Sequence, residues 1–260
     1  MDSRPIGLFD SGVGGLSILS ELRRLAPAER CIYFADTLWF PYGGRPAPEV
    51  RKRSFAIARR LLEADVKLIV VACNTASAAA LDELRAAFPV PFVGVVPGLK
   101  PAVERSRTLN VAILATAGTL GGELYHRVAE EFGGRARVRE IPAHGLAEFV
   151  ERGELDSPAL RERLHGWLAP AVADGVDTVV LGCTHYNFVV PVLQEMFPGV
   201  QLVDTSEAIA RRVVHTLDEQ GIAAPPDAAG GLSFIVSGSP EEFSRRAERL
   251  GFDCTAEVPA

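Results

Sequence analysis

The 260-residue chain is 48% hydrophobic, enough to bury a substantial core as one large domain or as two of about 100 to 130 residues each. Its formal charge of −6, with the basic residues dispersed, offers no clustered positive face and argues against a nucleic-acid partner. No apolar run approaches the roughly 20 residues of a membrane span, and the first residues lack the regions of a secretory signal, so no membrane partner and a cytoplasmic location are expected.

Short β-branched runs alternate with amphipathic stretches, which predicts an α/β protein built on mostly parallel sheets flanked by helices. The first half reads as strands over 6–9, 31–34, 68–72 and 92–95, with helices near 16–25, 49–63 and 76–88. A link over 97–107 leads to strands over 111–115, 137–141, 178–181 and 201–203, with helices near 123–132, 158–173 and 189–197. The halves repeat. IGLFDSGVG aligns with VAILATAGT, CIYFADT with VREIPAH, LIVVACNTA with TVVLGCTHY, and PFVGVVPG with QLVDTSEA, at a steady offset of about 105 to 110 residues. That offset favours two similar α/β domains over one sheet, with a last strand over 232–236 returning to the first domain.

In open parallel sheets, ligands bind outside the carboxyl ends of the strands. Two of the four cysteines stand there, Cys73 in ACNT and Cys183 in GCTH. If the domains face one another, a ligand between them meets one thiol on each side. Acid/base groups on opposite faces of one carbon are what inversion by proton abstraction and return requires. Either thiol alone reads equally well as a small buried hydrophobe; their equivalent settings, each with a threonine close behind, argue for chemistry. Cys31 and Cys254 lack that setting. Without a C-x-x-C or a ligand spacing among the five histidines, reduced thiols and no metal site are expected.

FDSGVGG breaks the dinucleotide-binding fingerprint, because Ser17 stands at its sixth position. What remains is a tight turn whose amides and Ser11 hydroxyl can receive an anionic group such as a carboxylate. Asp10 reads either as a cap or turn residue or as a carboxylate able to orient or deprotonate a neighbour. In ADTLWFPYGGRP, Pro41, Tyr42 and Gly43 make a second turn with exposed amides. His185 reads either as a satisfied polar residue or as an imidazole that lowers the Cys183 pKa from about 8.5. His126, His144, His165 and His215 have no comparable setting. Glu151, in EFVERGELD, is helical by pattern and most simply solvated.

With FDSGVGG, ADTxxFPYG, ACNTAS, GVVPGLKPA, ATAGT, LGCTHY and DTSEAIARR in this order, nearly the whole chain resembles the bacterial glutamate racemases of the cofactor-independent aspartate/glutamate racemase superfamily. The resemblance implies two flavodoxin-like domains, over 1–97 plus about 221–260 and over 98–220, with L- or D-glutamate held in the cleft between them. It also implies no cofactor and the supply of D-glutamate for peptidoglycan. A homodimer stays open, since racemases of this type pair in more than one way.

Cys73 and Cys183 match the two acid/base thiols, the first acting on D-glutamate and the second on L-glutamate. Asp10 and His185 match their helpers, and Glu151 the glutamate that supports the second thiol. Asp10, Ser11, Tyr42, Gly43, Asn74, Thr75, Thr184 and His185 match substrate-contact motifs, as do Thr116 and Thr119. The chain departs from the family pattern at Leu38, Trp39, Gly121, Gly122, Ala143, His144 and Asn187, positions expected to border the pocket. Three other readings stand beside this one. They are a racemase of aspartate or another small acidic amino acid, a hydrolase or isomerase with Cys183 and His185 as a nucleophilic dyad, and a non-catalytic binding protein of the same fold.

Overall fold

Residues 1–254 are described by the computed structural model; 255–260, the end of the expected first domain, lie outside the described residues. The strands are β1 (Ile6–Asp10), β2 (Arg30–Ala35), β3 (Leu68–Val71), β4 (Phe92–Gly94), β5 (Asn110–Ala115), β6 (Arg137–Pro142), β7 (Thr178–Gly182), β8 (Gln201–Val203) and β9 (Gly231–Val236). The helices are α1 (Leu16–Leu25), α2 (Ala47–Glu63), α3 (Asn74–Ala87), α4 (Leu99–Arg105), α5 (Ala117–Leu120), α6 (Glu123–Gly133), α7 (Leu146–Glu151), α8 (Pro158–Ala173), α9 (Val190–Met196), α10 (Ser206–Glu219) and α11 (Pro240–Arg249), with a 3₁₀ turn at Thr184–Val189.

The strands form two sheets, β4-β3-β1-β2-β9 and β6-β5-β7-β8, with parallel pairing throughout the described residues. Their registers reproduce the internal repeat. Ile6 pairs with Cys31 and Leu68 just as Val111 pairs with Val138 and Thr178. Likewise Ile69 pairs with Phe92 as Val179 pairs with Leu202. Every segment aligned from sequence therefore occupies the same place in its own sheet, and β9 extends the first sheet beyond β2, as expected.

Parallel strands covered on both faces must be apolar along their whole length. Accordingly β1, β3 and β7 bury every residue, whereas the edge strand β6 exposes Arg137 and Glu140. Side chains alternate between faces along each strand, and the core divides accordingly. Ile6 and Leu8 join Ala112, Leu181 and Tyr186 in one cluster shared by both sheets. Phe9 and Ile69 pack in a second cluster and Val111 and Ile113 in a third, on the outer faces.

Four helices lie where the sequence predicted none, among them α11 behind the last strand. The link contains α4, whose Leu99, Ala102 and Val103 are buried. DTSEAIARR opens α10, which packs on α1 and β4 of the first sheet's layer. α5 is a single turn capped by Thr116, whose hydroxyl accepts from the Thr119 N–H. The helix predicted over 189–197 starts later, as α9, because the chain first winds through the 3₁₀ turn behind Cys183.

At the amino ends of β2 and β3, buried Lys67 and Glu29 pair at 2.6 Å. Lys67 Nζ also donates to the Asp2 carbonyl at 2.6 Å, and Glu29 Oε1 accepts from the Ala224 N–H at 2.7 Å. No helix among the described residues is long and apolar enough to cross a membrane.

Candidate active site

β3 and β7 hold equivalent positions in their sheets, and each delivers a cysteine just past its carboxyl end. Cys73 is the cap residue of α3 and Cys183 that of the 3₁₀ turn. Both are buried and line one cavity of about 170 Å³, together with Ser11, Tyr42, Gly43, Thr75, Thr116 and His185. This is below the roughly 300–1,000 Å³ of drug-sized pockets and suits a small metabolite. Asp10, Asn74, Thr119, Glu151 and Thr184 are buried and adjoin the lining residues in sequence or through hydrogen bonds. Cys31 and Cys254 are buried elsewhere, where desolvation pushes their thiols up to about 12 and about 11.

Burial pushes the Cys73 thiol well above its ordinary range, and the negative field of Asp10 adds to the shift against the opposing N–H groups of Ala76 and Thr75. Cys73 is therefore held as a proton donor at neutral pH. Asp10 is completely buried. Its Oδ1 accepts from the Gly12 N–H at 2.8 Å, and its Oδ2 accepts from the Thr184 hydroxyl at 3.2 Å. Asp10 thus closes the turn, and its charge lies close enough to Cys73 to act on the thiol. Burial raises its pKa, opposed by the charge of His185 and the Gly12 hydrogen bond. Through Thr184, the helper expected for Cys73 is also tied to the strand end that carries Cys183.

The second thiol is backed by a chain of polar contacts. His185 Nδ1 lies 3.8 Å from Cys183 Sγ, and His185 Nε2 lies 2.9 Å from Glu151 Oε1. Burial disfavours charge on His185, but the hydrogen bonds with Cys183 and Glu151 and the field of Asp10 prevail and raise its pKa well above that of free imidazole. Glu151 is buried, which corrects its reading as a solvated helical residue. Burial alone would raise its pKa; the His185 hydrogen bond and charge, the Val13 N–H and Arg246 together hold it below the ordinary glutamate value. Imidazolium and carboxylate thus stabilise one another. A protonated His185 can donate to a Cys183 thiolate and to Glu151 at once.

The glycines of FDSGVGG make this approach feasible. A Cβ at Gly12 would overlap Glu151 Oε1, and one at Gly14 would overlap the His185 ring. The turn expected to receive an anionic group thus also admits the side chains that support Cys183.

On the opposite wall the Thr75 and Thr116 hydroxyls are 2.9 Å apart, with Thr119 3.0 Å from Thr116. The Tyr42 hydroxyl donates to Asp36, which Arg53 also grips, and the Gly43 carbonyl accepts from the Gly118 N–H at 2.9 Å. Tyr42 therefore shapes the wall while its hydroxyl serves Asp36. Asn74 Nδ2 is buried without a protein partner, a donor of the kind a carboxylate satisfies.

Of the departures from the family pattern, Ala143 and His144 form part of the cavity wall. Leu38 is 69% exposed, Trp39 lies under the guanidinium groups of Arg45 and Arg53, Gly122 packs against Ala78, and Asn187 donates to Ser206 Oγ at 2.7 Å. Sequence reasoning missed Arg246, whose Nη1 donates to Glu151 Oε2 at 3.0 Å, and Phe40, whose ring lies 5.5 Å from that of His185.

Two matched parallel sheets each present a buried thiol to one small cavity. The chain belongs to the Asp/Glu/Hydantoin racemase family, whose model matches residues 7–213. Within that family it is similar to glutamate racemases. The glutamate racemase of Roseiflexus sp. (strain RS-1) is 44% identical over 97% of this chain and 94% of that protein. The structure of glutamate racemase isoform RacE1 from Bacillus anthracis superposes with a TM-score of 0.90 at 31% identity, covering 100% of this chain and 98% of that one. Escherichia coli glutamate racemase, solved with L-glutamate and the activator UDP-MurNAc-ala, gives 0.82 at 35% identity, covering 96% and 97%.

Proposed function

We propose that this protein interconverts L- and D-glutamate by two-thiol proton transfer. The observation that carries the reading is the pair of cysteines at equivalent strand ends on one small cavity. From L-glutamate, a Cys183 thiolate removes the α-proton and the Cys73 thiol delivers its own proton to the opposite face; from D-glutamate the roles exchange. The His185 imidazolium stabilises the Cys183 thiolate, and Asp10 orients the Cys73 side. Ser11, the amides of Tyr42 and Gly43, Asn74, Thr75, Thr116, Thr119 and Thr184 hold the substrate's carboxylates and amine. A thiolate is a weak base for an α-hydrogen, so donors aimed at the charge developing on the α-carboxylate must lower the barrier. The protein's own residues carry every proton in this scheme.

The similarity to glutamate racemases and the small, donor-lined cavity support glutamate as the substrate. On this reading the enzyme works in the cytoplasm and supplies D-glutamate for peptidoglycan. The two units, 1–97 with about 221–260 and 98–220, are proposed as the domains that clasp the substrate, with α10 of the second packed against α1 and β4 of the first.

In heavy water, either enantiomer of glutamate should yield an inverted product carrying solvent deuterium at the α-carbon, because the donating thiol has exchanged with solvent. Chiral separation with mass analysis reads this directly. Inversion without label, or faster turnover of aspartate in competition, would overturn the reading.

The pH profile gives a second test. One thiol must be ionised and the other protonated, and burial with Asp10 holds the Cys73 proton well above the ordinary value of 9.0. Turnover should therefore rise with pH to a plateau and fall only above about pH 9, when Cys73 loses its proton. A fall in kcat already centred near pH 7.5 would count against Cys73 as the retained acid.

A further inference from the structure

We infer that Arg246 is a positioning residue for the Cys183 half of the site, holding Glu151 with one carboxylate oxygen turned to His185. This rests on the two-thiol reading above and adds to it a group from a remote part of the chain. Arg246 lies on α11, behind the last strand of the five-stranded sheet, whereas Glu151 ends α7, between β6 and β7 of the other sheet. The contact therefore joins the two layers beside the cavity.

The local sequence fixes the direction of Arg246. Ser239 Oγ accepts from the Glu242 N–H at 3.1 Å and starts the helix, Pro240 occupies its first position, and Glu241 and Glu242 fill its first turn. Phe243 and Ala247 are buried, and the Phe243 ring stacks 6.1 Å from that of Tyr33, which orients the helix face. One turn after Glu242, Arg246 Nη2 reaches Glu242 Oε2 at 3.4 Å while Nη1 donates to Glu151 Oε2 at 3.0 Å.

The division of labour on Glu151 makes this more than a surface ion pair. Its Oε1 accepts from both the Val13 N–H at 2.8 Å and His185 Nε2 at 2.9 Å, so Oε2 is left to Arg246. The terminal torsion of a glutamate is soft. A carboxylate held through both oxygens keeps its plane, and the imidazole bonded to it keeps its ring directed at Cys183. Released at Oε2, the carboxylate can turn, and His185 loses its orienting partner.

Arg246→Ala and Arg246→Lys in the full chain test this. For Arg246→Ala, kcat/KM should fall about tenfold or more for both enantiomers, mostly through kcat, as misplacement of a reacting group predicts. Arg246→Lys, which keeps a donor and a charge, should recover at least about threefold of that loss. In nitrogen-15 NMR without substrate, the imidazole N–H of His185 held by Glu151 should give a slowly exchanging downfield resonance. Arg246→Ala should lose it and Arg246→Lys should retain it. Should Arg246→Ala not fold, Arg246→Gln serves in the same comparison.

A resonance that persists unchanged in Arg246→Ala, or a kcat/KM within about twofold of the parent, overturns the inference. So does a lower melting temperature with the resonance intact, which marks a merely structural contact. Since the resonance needs no turnover, a parent protein that fails to racemise glutamate refutes the proposed function while leaving this test of Arg246 readable.

Discussion

Cys73→Ala should abolish racemisation in both directions, by about 10³-fold or more, within the range that positioned acids and bases supply. The variant lacks the base for D-glutamate and also the acid that completes inversion of L-glutamate. Any remaining exchange of the α-hydrogen with heavy water should be confined to L-glutamate, which Cys183 can still reach, and should proceed without inversion. Cys183→Ala should show the mirror pattern. Each cysteine is buried, and alanine removes only a sulfur, so the folded structure should survive. If either variant still racemises glutamate, the two-base reading fails and a single nucleophilic thiol becomes the better account.

The choice of observable matters for the supporting residues. The enantiomers have equal free energy in an achiral solvent, so kcat/KM must be the same in both directions for the parent and for every variant. An effect confined to one thiol therefore appears in kcat and KM separately, or in α-hydrogen exchange. His185→Ala should depress kcat from L-glutamate more than from D-glutamate. His215→Ala, an exposed site paired with Glu219 on α10, should be near neutral.

The sheets and the thiols were legible because their causes are local. Buried parallel strands must be apolar throughout, so LIVVAC and TVVLGC announced both their strands and the residues delivered at their ends. The repeat offset matched each strand with its counterpart in the other half, and the registers agree with that match residue by residue. Helix α10 was legible in principle from Ile209, Val213 and Leu217, four apart, but reading DTSEA only as a strand-end motif passed over the helix behind it.

The support of Cys183 was less legible because its members are far apart in sequence. His185 meets Glu151 across 34 residues, and Glu151 meets Arg246 across 95. EFVERGELD shows a charged helix end, and nothing in its spacing says that the glycines at 12 and 14 will admit its carboxylate. Only the family resemblance placed Glu151 in the site, and no sequence signal placed Arg246 there.

Lys67→Ala should separate stability from activity. The Lys67 and Glu29 side chains are almost wholly buried, and each has a further tie, to the Asp2 carbonyl and the Ala224 N–H. Together they bind the first residues and the segment before β9 to the amino ends of β2 and β3, while the thiols stand at the carboxyl ends of β3 and β7. Truncating Lys67 leaves the Glu29 carboxylate buried and uncompensated, which costs about 3–5 kcal/mol. The urea midpoint should fall accordingly with little change in slope. Replacing both partners, as in Glu29→Leu with Lys67→Met, removes the two charges together and should restore most of the loss, because an apolar pair of similar volume carries no desolvation penalty. Under conditions where the variants remain folded, kcat/KM should match that of the parent, since the pair lies at the end of the sheet away from the cavity. A Lys67→Ala penalty below about 1 kcal/mol would show that the Glu29 carboxylate finds water or another partner. A selective loss of turnover at full stability would show that this clamp communicates with the thiols.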